Sequence, residues 1–355
     1  MSKRFIPFSE IRSFDRVLVV DSHHPAGFAL SHWRGAAIHP RIHDATSTGI
    51  VLNALEKRIP ELSYPYVTNN HFDVDGFLGI WALLNPEKAL EYQHILRQMA
   101  LIGDFRELDT DLPESTRALK LVCWINTVEK KRFYGPFEAP EHHDKEAVLC
   151  VPKYEYFLEH FGQVLTDPDH FRADWIEEFN QVSSGIDQVN SPETTYYDFP
   201  ETGLRVIDTP EPLHYYALFQ SSKGYSAILS MYSGRRYELE YKYTTWVDTG
   251  RPSYPRLKLG SLADKLSAME PEAHTWRTDS IFDTGPIMRV TKDNLSKAQR
   301  YDHPFRRPIA SSGLSKKEVL DTILDFFRHN LENVEQQPFW TWQEMRDINE
   351  SLSLH

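Results

Sequence analysis

The sequence has little of what defines several large protein classes. It contains two cysteines, Cys123 and Cys150, among 355 residues, which excludes a disulfide framework and fits a reducing compartment. Its apolar runs, such as Val17–Val20 and Phe77–Leu84, are far shorter than the roughly 20 residues that cross a bilayer. The N-terminus lacks the apolar stretch of a secretory signal. We therefore expect a cytoplasmic protein that does not act in a membrane.

Several widespread catalytic and binding motifs are also missing. The chain has no G-x-x-x-x-G-K-[ST] loop, no G-x-G-x-x-G after a strand, no H-E-x-x-H, no G-x-S-x-G and no Cys-x-x-Cys. These absences argue against a P-loop nucleotidase, a Rossmann dehydrogenase, a zincin, an α/β-hydrolase and a structural zinc module.

Positive charge is in deficit. Lysine and arginine together number 39, against 51 aspartate and glutamate residues, which gives a formal net charge of −12. Such a chain is poorly suited to a long nucleic acid, because that affinity depends on many contacts between basic side chains and phosphates. A local basic pocket or a bound metal can still hold a small anionic substrate, which is the partner we expect. The oligomeric state stays open, a homo-oligomer included.

The first half of the chain carries an α/β pattern. Arg16–Asp21 reads as a buried strand, a helix begins within Thr46–Thr48, and Tyr66–Thr68 is a second strand. Two more helices are predicted at Phe77–Leu84 and Glu87–Leu101. This order indicates a βαβ-type sheet with flanking helices. In such sheets ligands bind beyond the carboxyl ends of the strands.

The second half is tyrosine-rich and reads as α+β. Tyr237–Val247 alternates bulky and polar residues, as a half-exposed strand does, and Ser233-Gly234 before it is typical of a hairpin turn. Ser315–Leu331 begins with a capping box and is predicted to be a helix. We therefore expect an α/β domain at 1–190 and an α+β domain with a tyrosine-rich antiparallel sheet at 191–355. The tyrosines either stack on a ligand or fill the sheet, and the second role is the more common.

The most informative segment is His71-Phe-Asp73-Val-Asp75-Gly76, which follows a strand and opens a helix. Asp73 and Asp75 alternate on an extended loop and can direct two carboxylates towards one point. Hard divalent cations such as Mn²⁺ or Mg²⁺ favour such oxygen ligands, and His71 adds a nitrogen. Gly76 permits a tight turn into the helix. The alternative is a polar loop in which Asp75 caps the helix.

A second segment, Asp21-Ser-His23-His24, lies where the first strand ends. An aspartate at a strand end, followed closely by two histidines, is a plausible metal-binding edge. The alternative is an Asp-Ser turn with two exposed histidines. Two such loops at the ends of two strands in one sheet indicate a metal site more strongly than either alone.

Other residues of the right chemical types are weaker candidates. Asp104 follows a predicted helix and can supply another carboxylate, although Gly103-Asp104 also fits a helix-terminating turn. His142-His143-Asp144 lies in a charged stretch next to prolines, which favours a solvated loop. His39 and His43 share the first histidine-rich loop and remain unassigned.

The two loops together resemble motifs of the DHH phosphoesterase superfamily, which carries an Asp-x-Asp-Gly element and a strand that ends in Asp-His-His. Asp73-Val-Asp75-Gly76 is similar to the first element, and Asp21-Ser-His23-His24 is similar to the second, with Ser22 interrupting it. The order of the motifs is reversed here, and no Gly-Gly-Gly-His element follows. The resemblance covers residues 16–105. It implies an α/β sheet, a second domain over a two-metal cleft that usually holds Mn²⁺, and hydrolysis of a phosphoester or phosphoanhydride.

A metal site at this edge assigns a role to each candidate residue. His23 or His24 can protonate the leaving oxygen when it is not a ligand, and Arg34 or Arg106 can clamp a phosphate group. Mn²⁺ is the expected ion, with Mg²⁺, Fe²⁺ and Zn²⁺ as alternatives. The candidate metal ligands are Asp21, His23, His24, His71, Asp73, Asp75 and Asp104.

The leading hypothesis is therefore a metal-dependent hydrolase of a small phosphorylated substrate. A second hypothesis is a single-metal enzyme, in which some of His23, His24, Asp73 and Asp75 hold Fe²⁺ for redox chemistry or Zn²⁺ for amide hydrolysis. A third is a non-catalytic binding protein, whose acidic loops are turns and helix caps.

Overall fold

The computed structural model describes residues 3–36, 38–135, 138, 145–220, 222–242, 247–272 and 274–352. The strands are β1 Arg4–Phe5, β2 Val17–Val20, β3 Gly27–Leu30, β4 Tyr66–Thr68, β5 Thr195–Phe199, β6 Leu204–Asp208, β7 Ala227–Tyr232, β8 Arg236–Tyr241, β9 Trp276–Thr278 and β10 Ile287–Val290. The helices are α1 Ser47–Lys57, α2 Val74–Leu84, α3 Pro86–Glu91, α4 Gln93–Phe105, α5 Ser115–Arg132, α6 Glu146–Leu149, α7 Val151–Thr166, α8 Ile176–Val189, α9 Tyr215–Phe219, α10 Gly260–Met269, α11 Lys297–Tyr301, α12 Lys316–Leu331 and α13 Trp342–Ser351.

The chain divides into two compact units. The first comprises Met1–Gln181 and Val247–Gly250, and the second comprises Val182–Trp246 and Arg251–His355. The division falls inside α8, whereas the sequence analysis places its boundary after that helix, at residue 190. A short segment of the second half, Val247–Gly250, belongs to the first unit, and no local sequence pattern signals this return.

The first unit is built on a parallel sheet of strand order β1-β4-β2-β3. Strand β2 lies in the middle, and its four apolar residues are completely buried. A run of consecutive apolar residues suits a central strand that is covered on both faces. Val17 and Val19 pack against Ile6 and Ile11 on one face. Strand β3 lies between the predicted strand at Arg16–Asp21 and the first predicted helix, where no strand was predicted from sequence.

A layer of aromatic side chains joins α7 to α2 and to the loop that precedes it. Phe157 stacks on Phe72 with ring centroids 4.9 Å apart, and Phe161 meets Phe77 edge-on at 5.2 Å. Such pairs add stability beyond the burial of their area. The layer fixes the loop that carries His71 and Asp73, because Phe72 lies between those two residues.

Helices α5 and α7 are also joined by a buried ion pair. Lys153 Nζ lies 2.7 Å from Glu129 Oε1, and both side chains are almost fully buried. The ammonium group also lies 3.7 Å from the ring centroid of Tyr134. Burial raises the pKa of Glu129 to about 7, although Lys153 acts in the opposite direction.

Removing only the cation of this pair should destabilise the protein strongly. We expect Lys153→Met to lower the free energy of unfolding by about 3–5 kcal/mol, because Glu129 is left buried without its partner. The double variant Lys153→Met/Glu129→Leu should recover most of that loss. Urea unfolding at pH 7 measures both. Equal losses in the single and double variants would contradict the expected coupling.

The second unit holds a six-stranded sheet of order β5-β6-β7-β8-β10-β9. Neighbouring strands are antiparallel except for β6 and β7, which are parallel. One face packs on α10 and α12, and Tyr237 and Tyr241 lie in this core. Their hydroxyls donate to the carbonyls of Leu314 and Leu257. These two tyrosines therefore pack in the core beneath the sheet, as the packing alternative predicts.

The opposite face of this sheet has an apolar cluster that includes Ile207, Ile228 and Tyr232, and a charged group of side chains around β8. Arg307 Nη1 donates to Glu238 and Glu240 at 2.6 and 2.5 Å, and all three side chains are buried. Burial alone would lower the pKa of Arg307. The two carboxylates outweigh this effect and raise the pKa above its ordinary value. Arg236 also pairs with Glu238, and Arg256 donates to backbone carbonyls. These three arginines are therefore bonded to groups of the second unit itself.

The structure confirms the predicted fold class, an α/β unit and an α+β unit. The predicted helix Glu87–Leu101 is two helices, α3 and α4, and α4 continues to Phe105. The predicted strand Tyr237–Val247 is represented by β8, and residues 243–246 lie outside the described ranges. Within those ranges, no helix combines the length and apolarity needed to cross a membrane.

Candidate metal site

Three neighbouring parallel strands of the first unit end at one edge of the sheet, and polar residues follow each. Asp21 follows β2 directly, His32 comes two residues after β3, and the loop that begins at Asn69 follows β4. Asp104 approaches the same point from the last turn of α4, since its Oδ2 lies 3.3 Å from His32 Nε2. The carboxyl edge of a parallel sheet is where ligands bind in α/β proteins.

Asp21 lies at the centre of this cluster and is 1% exposed. Its Oδ1 lies 3.2 Å from His32 Nε2, and its Oδ2 lies 3.3 Å from His71 Nε2. Ser47 Oγ also donates to Oδ1 at 2.8 Å. The backbone of Asp21 is left-handed, with a φ of 49°, which costs a non-glycine residue about 1 kcal/mol or more. This left-handed conformation turns the chain at the end of β2.

Both histidines direct Nε2 towards the carboxylates. His32 Nδ1 lies 2.5 Å from the carbonyl oxygen of Ala45, so that ring nitrogen is the donor. His71 Nδ1 donates to Asn70 Oδ1 at 2.7 Å. This arrangement is typical of metal-ligating histidines, whose second nitrogen is fixed by a hydrogen bond to an oxygen. It leaves Nε2 of each ring available as a ligand.

Asp75 is held in place by the first turn of α1. Its two carboxylate oxygens accept hydrogen bonds from the backbone amides of Ser47 and Thr48 at 2.7 and 2.8 Å. The positive end of a helix stabilises a carboxylate there. Asp75 Oδ2 also lies 3.8 Å from His32 Nε2. Asp75 is therefore oriented towards the cluster and does not cap α2, whose N-cap is Asp73.

The cluster contains two triads of groups spaced closely enough to hold a metal ion. Asp21, His32 and Asp75 form the inner triad, and Asp21, His71 and Asp73 form the outer triad, with the ligand atoms of each within 4.8 Å of one another. Asp21 is shared, and each of its oxygens faces a different histidine. The outer triad is the more exposed, with side-chain exposures of 23% for His71 and 39% for Asp73.

Burial and the repulsion between neighbouring carboxylates raise the pKa of two aspartates in the cluster. Burial, followed by the charge of Asp21, raises the pKa of Asp75 to about 7. Burial and the charges of Asp75, Asp73 and Asp21 raise the pKa of Asp104 well above its usual range. A divalent cation would relieve this repulsion, because carboxylate oxygen and imidazole nitrogen are ligands for Mn²⁺, Fe²⁺ and Zn²⁺.

The histidines carry the compensating charge. Burial alone would lower the pKa of His32, but its bond to Asp21 and the negative charges around it raise the value to about 9. The same balance raises the pKa of His71 well above its ordinary value, with Asp73 and Asp21 as the causes. Burial would raise the pKa of Asp21, yet hydrogen bonds from both histidines hold it well below its usual range. A metal ion would have to displace the protons on Nε2.

Two glycines allow the elements of the site to approach closely. A Cβ on Gly76 would lie 2.1 Å from Asn69 Nδ2 and 3.2 Å from Asp21 Oδ2. Asn69 Nδ2 donates to the hydroxyl of Tyr154, which in turn donates to the carbonyl of His71. A Cβ on Gly103 would lie 2.6 Å from Cβ of Val74. Gly103 thus brings α4 against the start of α2, which corrects the helix-terminating turn considered for Gly103-Asp104.

Gly76→Ala should disturb the site although alanine is the better helix former. We expect it to lower the free energy of unfolding by about 1–3 kcal/mol, because the methyl group displaces Asn69 and crowds Asp21. Gly162→Ala in α7 is the matched control. A Cβ there meets nothing closer than 3.8 Å, so that change should stabilise by about 0.5–1 kcal/mol. Urea unfolding of both variants measures the contrast, and a stabilising Gly76→Ala would contradict the close approach.

The structure brings together five of the residues chosen from sequence, namely Asp21, His71, Asp73, Asp75 and Asp104.

Other predicted residues are absent from both triads. His23 is exposed, and His24 Nδ1 accepts from the amide of Ala26 at 3.0 Å while its ring meets Phe8. Arg34 lies in a turn after Trp33 and is half-buried. Arg106 is buried and ends α4 in a left-handed conformation. Of the segment Asp21-Ser-His23-His24, the two triads therefore include the aspartate and neither histidine.

Sequence reasoning missed His32. The available signal was the short apolar run Gly27–Leu30, which forms β3 and ends two residues before it. His39 accepts from the amide of Arg41 and caps a short helical turn, and His43 pairs with Asp248 at 3.5 Å. His142-His143-Asp144 lies outside the described residues.

Comparison with known proteins places the chain in one family. The model of a family of unknown function, DUF6687, matches residues 1–338, so the chain belongs to that family. No curated protein and no solved structure matches it significantly.

Proposed function

We propose that this member of the DUF6687 family is a divalent-metal-dependent hydrolase of a small phosphorylated substrate. The observation that carries the proposal is the pair of triads that share Asp21, one with His32 and Asp75 and the other with His71 and Asp73. Two ligand sets joined by one carboxylate are the arrangement expected of a two-metal phosphoesterase. The substrate we expect is a phosphoester or phosphoanhydride.

The chain's own residues fit this role. Asp21 would serve both ligand sets, because its two oxygens face different histidines. Asp104 would add a fourth group to the inner triad through Oδ2, which lies beside His32. When bound, such ions lower the pKa of a water molecule and neutralise the charge of the phosphoryl group. The mixed oxygen and nitrogen ligands favour Mn²⁺, with Fe²⁺, Zn²⁺ and Mg²⁺ as alternatives.

The resemblance to the DHH phosphoesterase superfamily supports the same proposal. Asp73 and Asp75 of the Asp-x-Asp-Gly element both face the cluster, and Asp21 joins them from the end of β2. The histidine beside Asp21 is His32 and not His23 or His24. We propose that a shared ligand geometry underlies the resemblance, although the order of the motifs is reversed.

The single-metal alternative predicts a different arrangement. A single ion bound by both histidines and a carboxylate requires the ligand atoms of all three groups to be directed at the same point. Here His32 and His71 approach opposite oxygens of Asp21, and each is associated with a further aspartate, Asp75 or Asp73. This separation favours two ions. The metal content distinguishes the two cases directly.

The metal content of the purified protein tests the proposal. After dialysis against Mn²⁺ and removal of free ion, we expect about two equivalents by elemental analysis. Asp21→Asn should retain less than about one, because the shared ligand is lost, whereas Asp73→Asn should retain about one. Asp169→Asn is the matched control, since this exposed carboxylate pairs with Lys120 and belongs to neither triad, and it should retain both ions.

Hydrolysis of bis(4-nitrophenyl) phosphate by the same proteins provides the second measurement. The loaded wild type and Asp169→Asn should hydrolyse it at similar rates, and Asp21→Asn should be slower by about a hundredfold or more. About one equivalent of Fe or Zn would shift the assignment to a single-metal enzyme. A wild-type protein that retains no metal would overturn the proposal in favour of a binding protein.

A further inference from the structure

Trp33 lies beside the more exposed half of the metal site. Its indole ring is 5.4 Å from the ring of His71, centroid to centroid, at an angle of 41°. The residue is half-buried, so part of its aromatic surface is accessible next to the outer triad. Its sequence neighbour His32 belongs to the inner triad, so this short segment contributes to both sides of the cluster.

The backbone around Trp33 is held on both sides. Its amide donates to Ser31 Oγ at 3.1 Å, and its carbonyl accepts from the amide of Ala36 at 3.0 Å. An isolated antiparallel bridge pairs Trp33 with Val247, and the amide of Asp248 donates to the carbonyl of His32 at 2.7 Å. These contacts hold the backbone of Trp33 in place, and the indole itself contacts the ring of His71. A fixed aromatic surface loses little conformational freedom when a ligand binds to it.

The two triads and the indole of Trp33 would recognise different parts of a substrate. Carboxylates and imidazoles with their ions can bind a phosphoryl group, but they provide no surface for the organic part of a substrate. An exposed indole face stacks on planar aromatic groups, with a preference over saturated groups of similar size. Within the described residues, no hydrogen bond uses the indole N–H of Trp33. The group is thus available to a ligand.

We propose that Trp33 stacks on a planar aromatic group of the substrate while the phosphoryl group of the substrate lies at the two triads. The substrate class is therefore an aromatic phosphoester, either one that carries a nucleobase or one with an aryl group, and not a sugar or amino-acid phosphate. This inference rests on the proposed function, because it assumes that the triads bind the phosphoryl group through metal ions.

Two phosphonates that the enzyme cannot hydrolyse at the phosphorus–carbon bond test the proposal. Phenylphosphonate carries a planar aromatic ring, and cyclohexylphosphonate carries a saturated ring of similar size. Calorimetric titration of the Mn²⁺-loaded wild type should show about three- to tenfold tighter binding of phenylphosphonate. Trp33→Ala should abolish that preference, and Trp33→Phe should retain most of it. Elemental analysis should find the same metal content in all three proteins.

Each other outcome overturns the inference in a recognisable way. Equal binding of both phosphonates by the wild type, or a preference that survives in Trp33→Ala, would show that the indole does not read the organic group. A loss of metal from both Trp33 variants would show that the indole supports His71 instead. A wild-type protein that binds neither Mn²⁺ nor either phosphonate would overturn the proposed function as well, which separates that failure from the first two.

Discussion

The buried carboxylate of Asp21 is the interaction on which the site depends. It is 1% exposed and interacts with His32 through one oxygen and with His71 through the other. A buried charge is stable only with close partners of opposite charge and hydrogen bonds that satisfy its lone pairs. The histidines and the hydroxyl of Ser47 meet these needs. Because the two histidines approach different oxygens, the same carboxylate belongs to both triads that could hold a cation.

Different secondary-structure elements position the side chains of the two triads. The parallel sheet delivers Asp21 and His32 to one edge, and the loop after β4 brings His71 and Asp73 to the same edge. The first turn of α1 holds Asp75 through backbone amides. The buried aromatic layer on α7 holds the loop that carries His71 and Asp73, through the stacking of Phe157 on Phe72. Ligands oriented by such rigid supports pay little to become ordered when an ion binds.

The two units use buried charge in different ways. In the second unit, Arg307 balances Glu238 and Glu240, so the carboxylates have a permanent cationic partner. In the first, His32 and His71 pair with the carboxylates around Asp21, and their charge depends on a proton that an ion can displace. Both units contain several buried acids, but only those of the first unit pair with groups that an ion could replace, which makes its sheet edge the candidate ligand site.

The sequence by itself determined the fold class, the segment His71–Gly76 and the aspartate at the end of β2. These are local features, because a buried apolar run and an Asp-x-Asp-Gly loop are written in consecutive residues. Only the tertiary structure decided that His32 joins Asp21 while His23 and His24 do not. Strand β3 has the sequence Gly-Phe-Ala-Leu, which contains a glycine and no β-branched residue, so its strand pattern is weaker than that of β2. The left-handed turn at Asp21 also redirects the chain after β2. Which side chains meet at a sheet edge is set by strand pairing between distant segments, and that pairing has no local signature.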